Sequence, residues 1–249
     1  MLKVGISGAA GRMGRAVVAA IEEDPELVVG GLFDPAGGSV GAQPISIHSE
    51  AIEGCDVVVE FTNPDVVMDN LSTWYQMGVH AVVGTSGFTE DRIEAVKVFW
   101  RSGPPNCLIV PNFSIGAVLM MRFAELAAPH FEAAEIVELH HDRKADAPSG
   151  TAAATASRIS RANPDQRRAV VSSELVPGAR GGSIEGVPVH SVRLPGLLAH
   201  QEVLFGGAGE VLTIRHDTTD RSSFLPGVLL AVRKVGELPG ITVGLEALL

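Results

Sequence analysis

Cysteine is scarce in this chain, cations are outnumbered by anions, and long apolar runs are missing. The two cysteines, Cys55 and Cys107, each sit beside a short apolar run, CDVVVEF and CLIVPNF. Neither has the C-x-x-C spacing of a zinc or redox site, so no metal is expected and both read as reduced core thiols. Lysine and arginine total 19 against 29 aspartates and glutamates, a formal net charge of −10 that argues against a nucleic-acid partner. No stretch approaches the roughly 18 apolar residues of a membrane span, and the opening MLKVGISG is apolar over too few residues for a signal peptide. A cytoplasmic protein with no membrane partner is therefore expected. Hydrophobic residues make up 46% and charged residues 19%, the balance of a chain that buries a core rather than one that stays disordered.

The first 113 residues alternate short apolar runs with helical patterns. Strands are expected at 3–7, 27–33, 56–61, 80–84 and 107–110, rich in valine and isoleucine and nearly continuous in apolar character, as in parallel strands covered on both faces. Helices are expected at 12–23, 65–77 and 89–101. This rhythm implies right-handed βαβ units and an open parallel sheet. After Pro111 it changes. A helix is expected at 114–131, a strand at 135–140, and an alanine-rich helix opening at Pro148-Ser149-Gly150-Thr151 and running to about Arg161. The runs VVSSELV, VPVHSVRL, HQEVLF and EVLTIRH follow with few helical patterns between them, which suggests a mixed or antiparallel sheet. Within them the glycine-rich span 177–186 reads equally as a loop or an interface element. Residues 222–235 are again helical, and 240–244 reads as a last strand returning to the first domain. The expected fold is α/β: a Rossmann-like parallel-sheet domain formed by 1–113 and 222–249, plus a second α+β domain, 114–221, with a mixed or antiparallel sheet.

The strand LKVGIS runs into Gly8-Ala9-Ala10-Gly11-Arg12-Met13-Gly14, and a helix follows at once. Glycines allow the tight turn and let backbone amides approach a pyrophosphate, whose charge then faces the helix N-terminus. The spacing is G-x-x-G-x-x-G, with Ala10 where the middle glycine of G-x-G-x-x-G usually stands. Glycines also end strands for steric reasons alone; what favours a dinucleotide here is the turn's place between the first strand and the first helix. The second strand ends at Asp34, the distance downstream at which an acid meets an adenosine ribose. Asp34 on the 2′-hydroxyl would favour NADH, while Arg12 beside it could pair with the 2′-phosphate of NADPH. Ligands in such sheets lie beyond the carboxyl ends of the strands, which places Phe61-Thr62, Gly84-Thr85-Ser86 and Val110-Pro111-Asn112-Phe113 along the same groove.

The strongest chemical signal is the segment EIVELHHDRKADAPSGTA, Glu135 to Ala152. His140, His141, Arg143 and Lys144 crowd into one short stretch of an acidic protein. Ser149 is a good N-cap, and Gly150 and Thr151 offer free amides at a helix start, a second anion site. Together these groups could hold a carboxylate at each end of a small molecule. Adjacent residues on a strand point opposite ways, so one histidine serves chemistry and the other binding, and spacing alone does not say which. Hydride addition to a double bond needs a proton on the far atom, and histidine is the natural donor near neutral pH. Lys144 better suits carboxylate binding and charge stabilisation. A metal role for the histidine pair is a poor fit, because adjacent histidines on a strand diverge and no further ligand set is spaced for zinc.

These residues resemble the signature of the 4-hydroxy-tetrahydrodipicolinate (dihydrodipicolinate) reductase family. The resemblance extends to GAAGRMG, VVGTSGF, PNFSIG, HQEVLFG and GEVLTIRHD, nearly the whole chain. It implies NAD(P)H-dependent reduction of (2S,4S)-4-hydroxy-2,3,4,5-tetrahydrodipicolinate with loss of water, in diaminopimelate and lysine biosynthesis. By position it makes His140 the proton donor and Lys144 a substrate-binding or second proton-donating group. His141, Gly150 and Thr151 would bind the substrate carboxylates. Gly8, Ala9, Ala10, Gly11, Arg12, Met13, Asp34, Gly84, Thr85, Ser86, Val110, Pro111, Asn112 and Phe113 would line the dinucleotide. The resemblance further implies a homotetramer assembled through the second domain's sheet, and closure of the domains over bound ligands. One departure is that Asp34 is followed by Pro35-Ala36-Gly37, where enteric-type members carry an arginine. That points to dual or NADH-leaning cofactor use. The rival readings are another two-domain amino-acid dehydrogenase, aspartate dehydrogenase-like, and a non-catalytic nucleotide sensor.

Overall fold

The computed structural model describes residues 1–164 and 173–249. The chain forms two compact units, Met1–Ser114 with Phe224–Leu249, and Ile115–Ser223. In chain order the first unit contributes β1 (Leu2–Ser7), α1 (Arg12–Glu22), β2 (Leu27–Phe33), a small hairpin β3 (Ser39–Val40) and β4 (Gln43–Pro44), β5 (Val57–Glu60), α2 (Val67–Gln76), β6 (His80–Val83), α3 (Glu90–Phe99) and β7 (Cys107–Ile109). The second unit follows with α4 (Ile115–Ala127), β8 (Ala133–His140), α5 (Gly150–Ala162), β9 (Gly182–Ile184), β10 (Val187–Arg193), β11 (Ala199–Gly207) and β12 (Glu210–Thr218). The chain then returns to the first unit as α6 (Leu225–Lys234) and β13 (Ile241–Val243).

The first unit is a six-stranded sheet in the order β13-β7-β6-β5-β1-β2, parallel at every pairing. Its central strands have no polar face to offer water. Val57, Val58, Val59, Ala81, Val82 and Val83 are all buried at 2% exposure or less, which is why these segments read as continuous apolar runs. Leu71 and Trp74 from α2 cover one face, joined by Val79, Val96 and Trp100. α1 turns Val17, Val18 and Ile21 inward from a 3.6-residue repeat. Each such buried aliphatic side chain contributes about 1.5–3 kcal/mol of transfer free energy. The returning C-terminal segment is anchored by Asn106, whose side-chain amide donates to the carbonyls of Val235 (3.1 Å) and Gly236 (3.0 Å). The strand expected at 240–244 is β13, added in parallel to β7.

The second unit is a five-stranded mixed sheet, β12-β11-β8-β10-β9, in which only β8 and β10 run parallel. On β8, Ile136 and Glu138 are buried and point to the same face as His140, following the two-residue strand period. α5 is capped by Ser149, whose hydroxyl accepts from the Ala152 amide at 3.2 Å. The β run expected at 170–176 lies partly outside the described residues, and its described part is not strand. The span 177–186 contains a turn and the short edge strand β9. Among the described residues no helix is long and apolar enough to cross a membrane, and no cluster of three or more histidine, cysteine or carboxylate side chains could hold a metal.

Candidate active site

In the first unit, parallel pairing brings the carboxyl ends of β1, β5, β6 and β7 to one edge of the sheet. Gly8 has φ +82°, and a Cβ there would lie 2.3 Å from the Phe61 carbonyl oxygen. Gly14 is equally constrained, because a Cβ would lie 2.3 Å from the Gly8 oxygen. These two glycines serve the tight turn and the close helix–strand approach required of a phosphate-binding loop. The loop is stiffened from within: Gly8 and Ala9 amides donate to the Phe33 carbonyl, and Gly11 to that of Gly8. Ala10 donates to Asp34 at 3.1 Å, while the other Asp34 oxygen accepts from Ala36 at 2.9 Å. Asp34 thus holds the turn from below. Arg12 is exposed, and the amides of Arg12 and Met13 open α1, where first-turn N–H groups lack intrahelical acceptors. The cradle fits a dinucleotide pyrophosphate.

The other expected residues converge on the same edge. Gly84 lies under two aromatic rings, since a Cβ there would meet the Phe61 ring at 2.0 Å and the Phe113 ring at 2.7 Å. The Phe61 and Phe113 centroids are 5.5 Å apart. Thr85 is buried; its hydroxyl accepts from the Thr62 amide at 2.9 Å and donates to the Glu60 carbonyl at 3.2 Å. Ser86 and Pro111 are exposed, Val110 is buried, and the Asn112 side chain accepts from the Ser114 amide at 2.9 Å. Two contributors were missed from sequence. Arg92 ties the loops together by donating to the Gly87 carbonyl at 3.0 Å and to that of Pro64. Glu60, fully buried at the end of β5, accepts from Thr62, from Asn70 at 3.2 Å and from the Trp74 indole at 2.9 Å.

In the second unit, β8 ends at His140 and α5 begins at Gly150. Glu138, with no exposed surface, joins them. One carboxylate oxygen lies 2.5 Å from His140 Nδ1 and the other accepts from the Ser149 amide at 3.2 Å. Arg193, which pairs with His140 across the β8–β10 ladder, donates to both Glu138 oxygens at 2.9 Å and to the Asp146 carbonyl at 2.6 Å. Burial pushes the Glu138 carboxyl up, but the bonds from Arg193, Ser191 and His140 outweigh it and leave its pKa below the usual range. Burial lowers the pKa of His140; Glu138 opposes that shift, while the nearby Lys144 and Arg193 add to it.

Lys144 Nζ pairs with both Asp146 oxygens at 2.8 Å, and the Lys144 amide donates to the His141 carbonyl at 3.1 Å. Lys144 lowers the pKa of Asp146. His141 points its Nδ1 to a buried position with no hydrogen-bond partner among the described residues. A Cβ on Gly150 would meet nothing within 4 Å, so the start of α5 opens onto free space. Glu138 thus ties His140, at the end of β8, to the first turn of α5, where Gly150 and Thr151 stand, while Arg143 is exposed. Glu138, Arg193 and Asp146 were missed as site residues. For Glu138 a signal existed, a carboxylate on the inward face of an apolar strand two residues before a histidine.

A glycine turn of phosphate-binding shape on a parallel α/β sheet, with a histidine–lysine cluster on a separate unit, is the equipment of a pyridine-nucleotide-dependent oxidoreductase. Comparison with known proteins narrows that class. Residues 2–113 match the family described as dihydrodipicolinate reductase, N-terminus, and residues 116–249 match dihydrodipicolinate reductase, C-terminus. The chain belongs to the dihydrodipicolinate reductase family. It is 53% identical to the 4-hydroxy-tetrahydrodipicolinate reductase of Mycolicibacterium smegmatis and 51% identical to that of Mycobacterium marinum, covering 100% of this chain and 99% of each relative. Among solved structures, the dipicolinate-bound dihydrodipicolinate reductase of Paenisporosarcina sp. TG-14 superimposes with a TM-score of 0.88 at 37% identity, over 100% of both chains.

Proposed function

We propose that the chain reduces (2S,4S)-4-hydroxy-2,3,4,5-tetrahydrodipicolinate to tetrahydrodipicolinate with loss of water, using NADH or NADPH, in diaminopimelate and lysine biosynthesis. Full-length identity above 50% to reductases of that name supports this. The observation that carries it is the link, through buried Glu138, of His140 at the end of β8 to the Ser149 amide at the start of α5, within the segment from Glu135 to Ala152. Neither an aspartate dehydrogenase-like enzyme nor a silent nucleotide sensor accounts for that link.

A bound reduced nicotinamide supplies the hydride. The first unit's glycine cradle would hold the pyrophosphate, Asp34 would meet the ribose, and the Gly84, Thr85, Ser86 and Val110 to Phe113 loops would receive the nicotinamide half. In the second unit, His141 and the amides of Gly150 and Thr151 receive one substrate carboxylate, and Lys144 the other after giving up Asp146. His140 donates the proton that quenches charge on the carbon adjacent to the site of hydride addition. Replacing His140 by Gln is expected to lower kcat about 100-fold or more while leaving the cofactor Kd unchanged. An unchanged kcat would remove His140 from the chemistry.

The finer cofactor reading is dual or NADH-leaning use, because Pro35-Ala36-Gly37 follows Asp34 where enteric-type members carry an arginine, while the exposed Arg12 could still meet a 2′-phosphate. Calorimetric Kd values for NADH and NADPH within about tenfold of each other are expected, and a strong NADPH preference would refute it. A homotetramer assembled through the second unit's sheet is supported by Val211 and Leu212, exposed on the edge strand β12 at 71% and 38%. Light scattering that returns a monomer would overturn the assembly.

A further inference from the structure

Glu138 is a buried carboxylate two residues before the proton-donating histidine, and it faces that histidine rather than the solvent. Its two oxygens are shared among His140 Nδ1, the two terminal nitrogens of Arg193, the Ser149 amide and the Ser191 side chain. This exceeds what stability requires. Arg193 alone would satisfy the carboxylate in the bidentate manner, and an apolar pair of similar volume would pack the same space without desolvating charge. From these contacts we propose that Glu138 is a positioning residue for the reaction. It holds the His140 ring through Nδ1, so that Nε2 is the nitrogen that delivers the proton, and it registers that ring to the start of α5, where the substrate carboxylate binds. The proposal rests on the reading of His140 as proton donor.

A neutral imidazole carries one proton, and its location decides which nitrogen can act. A carboxylate at Nδ1 keeps a proton there in both charge states of the ring. In the charged ring Nε2 bears the second proton. As hydride forms a C–H bond at one carbon of the substrate double bond, the π electron pair moves to the adjacent carbon. That carbon takes the Nε2 proton, the Nε2–H bond electrons stay on the ring, and His140 is left neutral with Nδ1–H still donated to Glu138. Solvent then reprotonates Nε2. Glu138 exchanges no proton, because Arg193 and the Ser149 amide hold it charged.

The groups facing His140 make the arrangement consequential. Lys144 from the loop after β8 and Arg193 from β10 both repel the imidazolium, and burial disfavours it further. Glu138 is the carboxylate that opposes all three. The same side chain bridges to Ser149, the N-cap of α5, and Arg193 extends the link to the Asp146 carbonyl, beside the partner of Lys144. A single buried group therefore sets the spacing between the proton donor and two carboxylate-binding elements.

The test uses the full chain with E138Q, E138D, H140Q and the double variant H140Q/E138Q, followed as kcat against pH, cofactor Kd, and 15N-histidine NMR. A proton donor loses activity as pH rises through its pKa. Removing the carboxylate should move that basic limb down by about one unit and lower kcat about 10–100-fold, with cofactor Kd unchanged. E138D, which keeps the charge, should recover part of both effects. If Glu138 acts through His140, the double variant is no slower than H140Q, whereas a loss equal to the product of the single losses overturns the proposal. Wild-type kcat and pH profile in E138Q also overturn it. An H140Q variant with full kcat would sink the proton-donor reading itself, independently of Glu138. Should E138Q fail to fold, the unaltered chain decides: NMR must show neutral His140 protonated at Nδ1, and a ring protonated at Nε2 instead refutes the positioning role.

Discussion

Replacing Arg193 by Met isolates what the buried ion pair contributes to stability. The aliphatic stem is roughly preserved, but two 2.9 Å bonds to Glu138 and one of 2.6 Å to the Asp146 carbonyl disappear. Glu138 has no exposed surface, so its charge cannot turn to water. Breaking a buried pair by removing one partner costs about 3–5 kcal/mol, and with 19% of the Arg193 side chain exposed we expect about 2–4 kcal/mol at neutral pH. The pH dependence has a definite sign. In the parent chain the Glu138 pKa is depressed, so its contribution is present above the unfolded value of about 4.3 and fades as pH falls below it. In Arg193→Met the main lowering influence is gone and burial raises the pKa, so the variant relieves its strain by protonating as pH falls. The stability gap should therefore be widest near pH 7 and narrow toward about pH 4. Trp74, Trp100 and Tyr75 all lie in the first unit, so fluorescence is blind to this change. Amide hydrogen exchange of β8 and β10 is the suitable assay, with tryptophan fluorescence as a control on the first unit. A gap under about 1 kcal/mol, or one that does not narrow between pH 7 and about pH 4, would refute the reasoning.

Other consequences can be checked directly. Gly14→Ala pushes a Cβ to 2.3 Å from the Gly8 oxygen, so the turn must shift; calorimetry should show cofactor Kd weakened about tenfold or more. Trp74→Phe removes the indole bond to Glu60 and part of a fully buried ring, costing about 2–4 kcal/mol in urea unfolding monitored by Trp100. Burial pushes the Cys107 thiol well up, and Cys55 is raised by burial and by Asp56. Neither should react with a thiol-directed reagent at pH 8 until the chain unfolds, and rapid labelling of the native protein would contradict their placement in the core.

The parallel sheet was legible because its strands are buried on both faces and so carry no polar alternation to confuse with helix. β2 coincides with its expected span, and β5, β6 and β7 lose only terminal residues to the neighbouring turns. The hairpin β3–β4 escaped notice, since two strands of two residues carry no period to detect. The helix expected at 114–131 ends earlier, at Ala127, and tightens into a 3-10 turn at Ala128–His130 containing Pro129. For the site, local signals led to the glycine turn and the histidine–lysine cluster. Arg193 carried no such signal. It stands 53 residues after His140 in a run that reads simply as strand, and only the register of β8 against β10 makes them neighbours.

The return of the chain to its first unit has a consequence for synthesis. Ribosomes deliver residues in order, and the stretch Ile115–Ser223 is continuous, so it can assemble while translation is still under way. The parallel sheet cannot be completed then. Its edge partner for β7 is β13, and the carbonyls that hold Asn106 belong to Val235 and Gly236, all translated more than a hundred residues later. Until they arrive, the apolar edge at Cys107–Ile109 is unpaired, the period when a nascent chain is most open to chaperones and to wrong strand partners. The first unit, begun first, is thus completed last, and its sheet reaches six strands only after the whole second unit has been made.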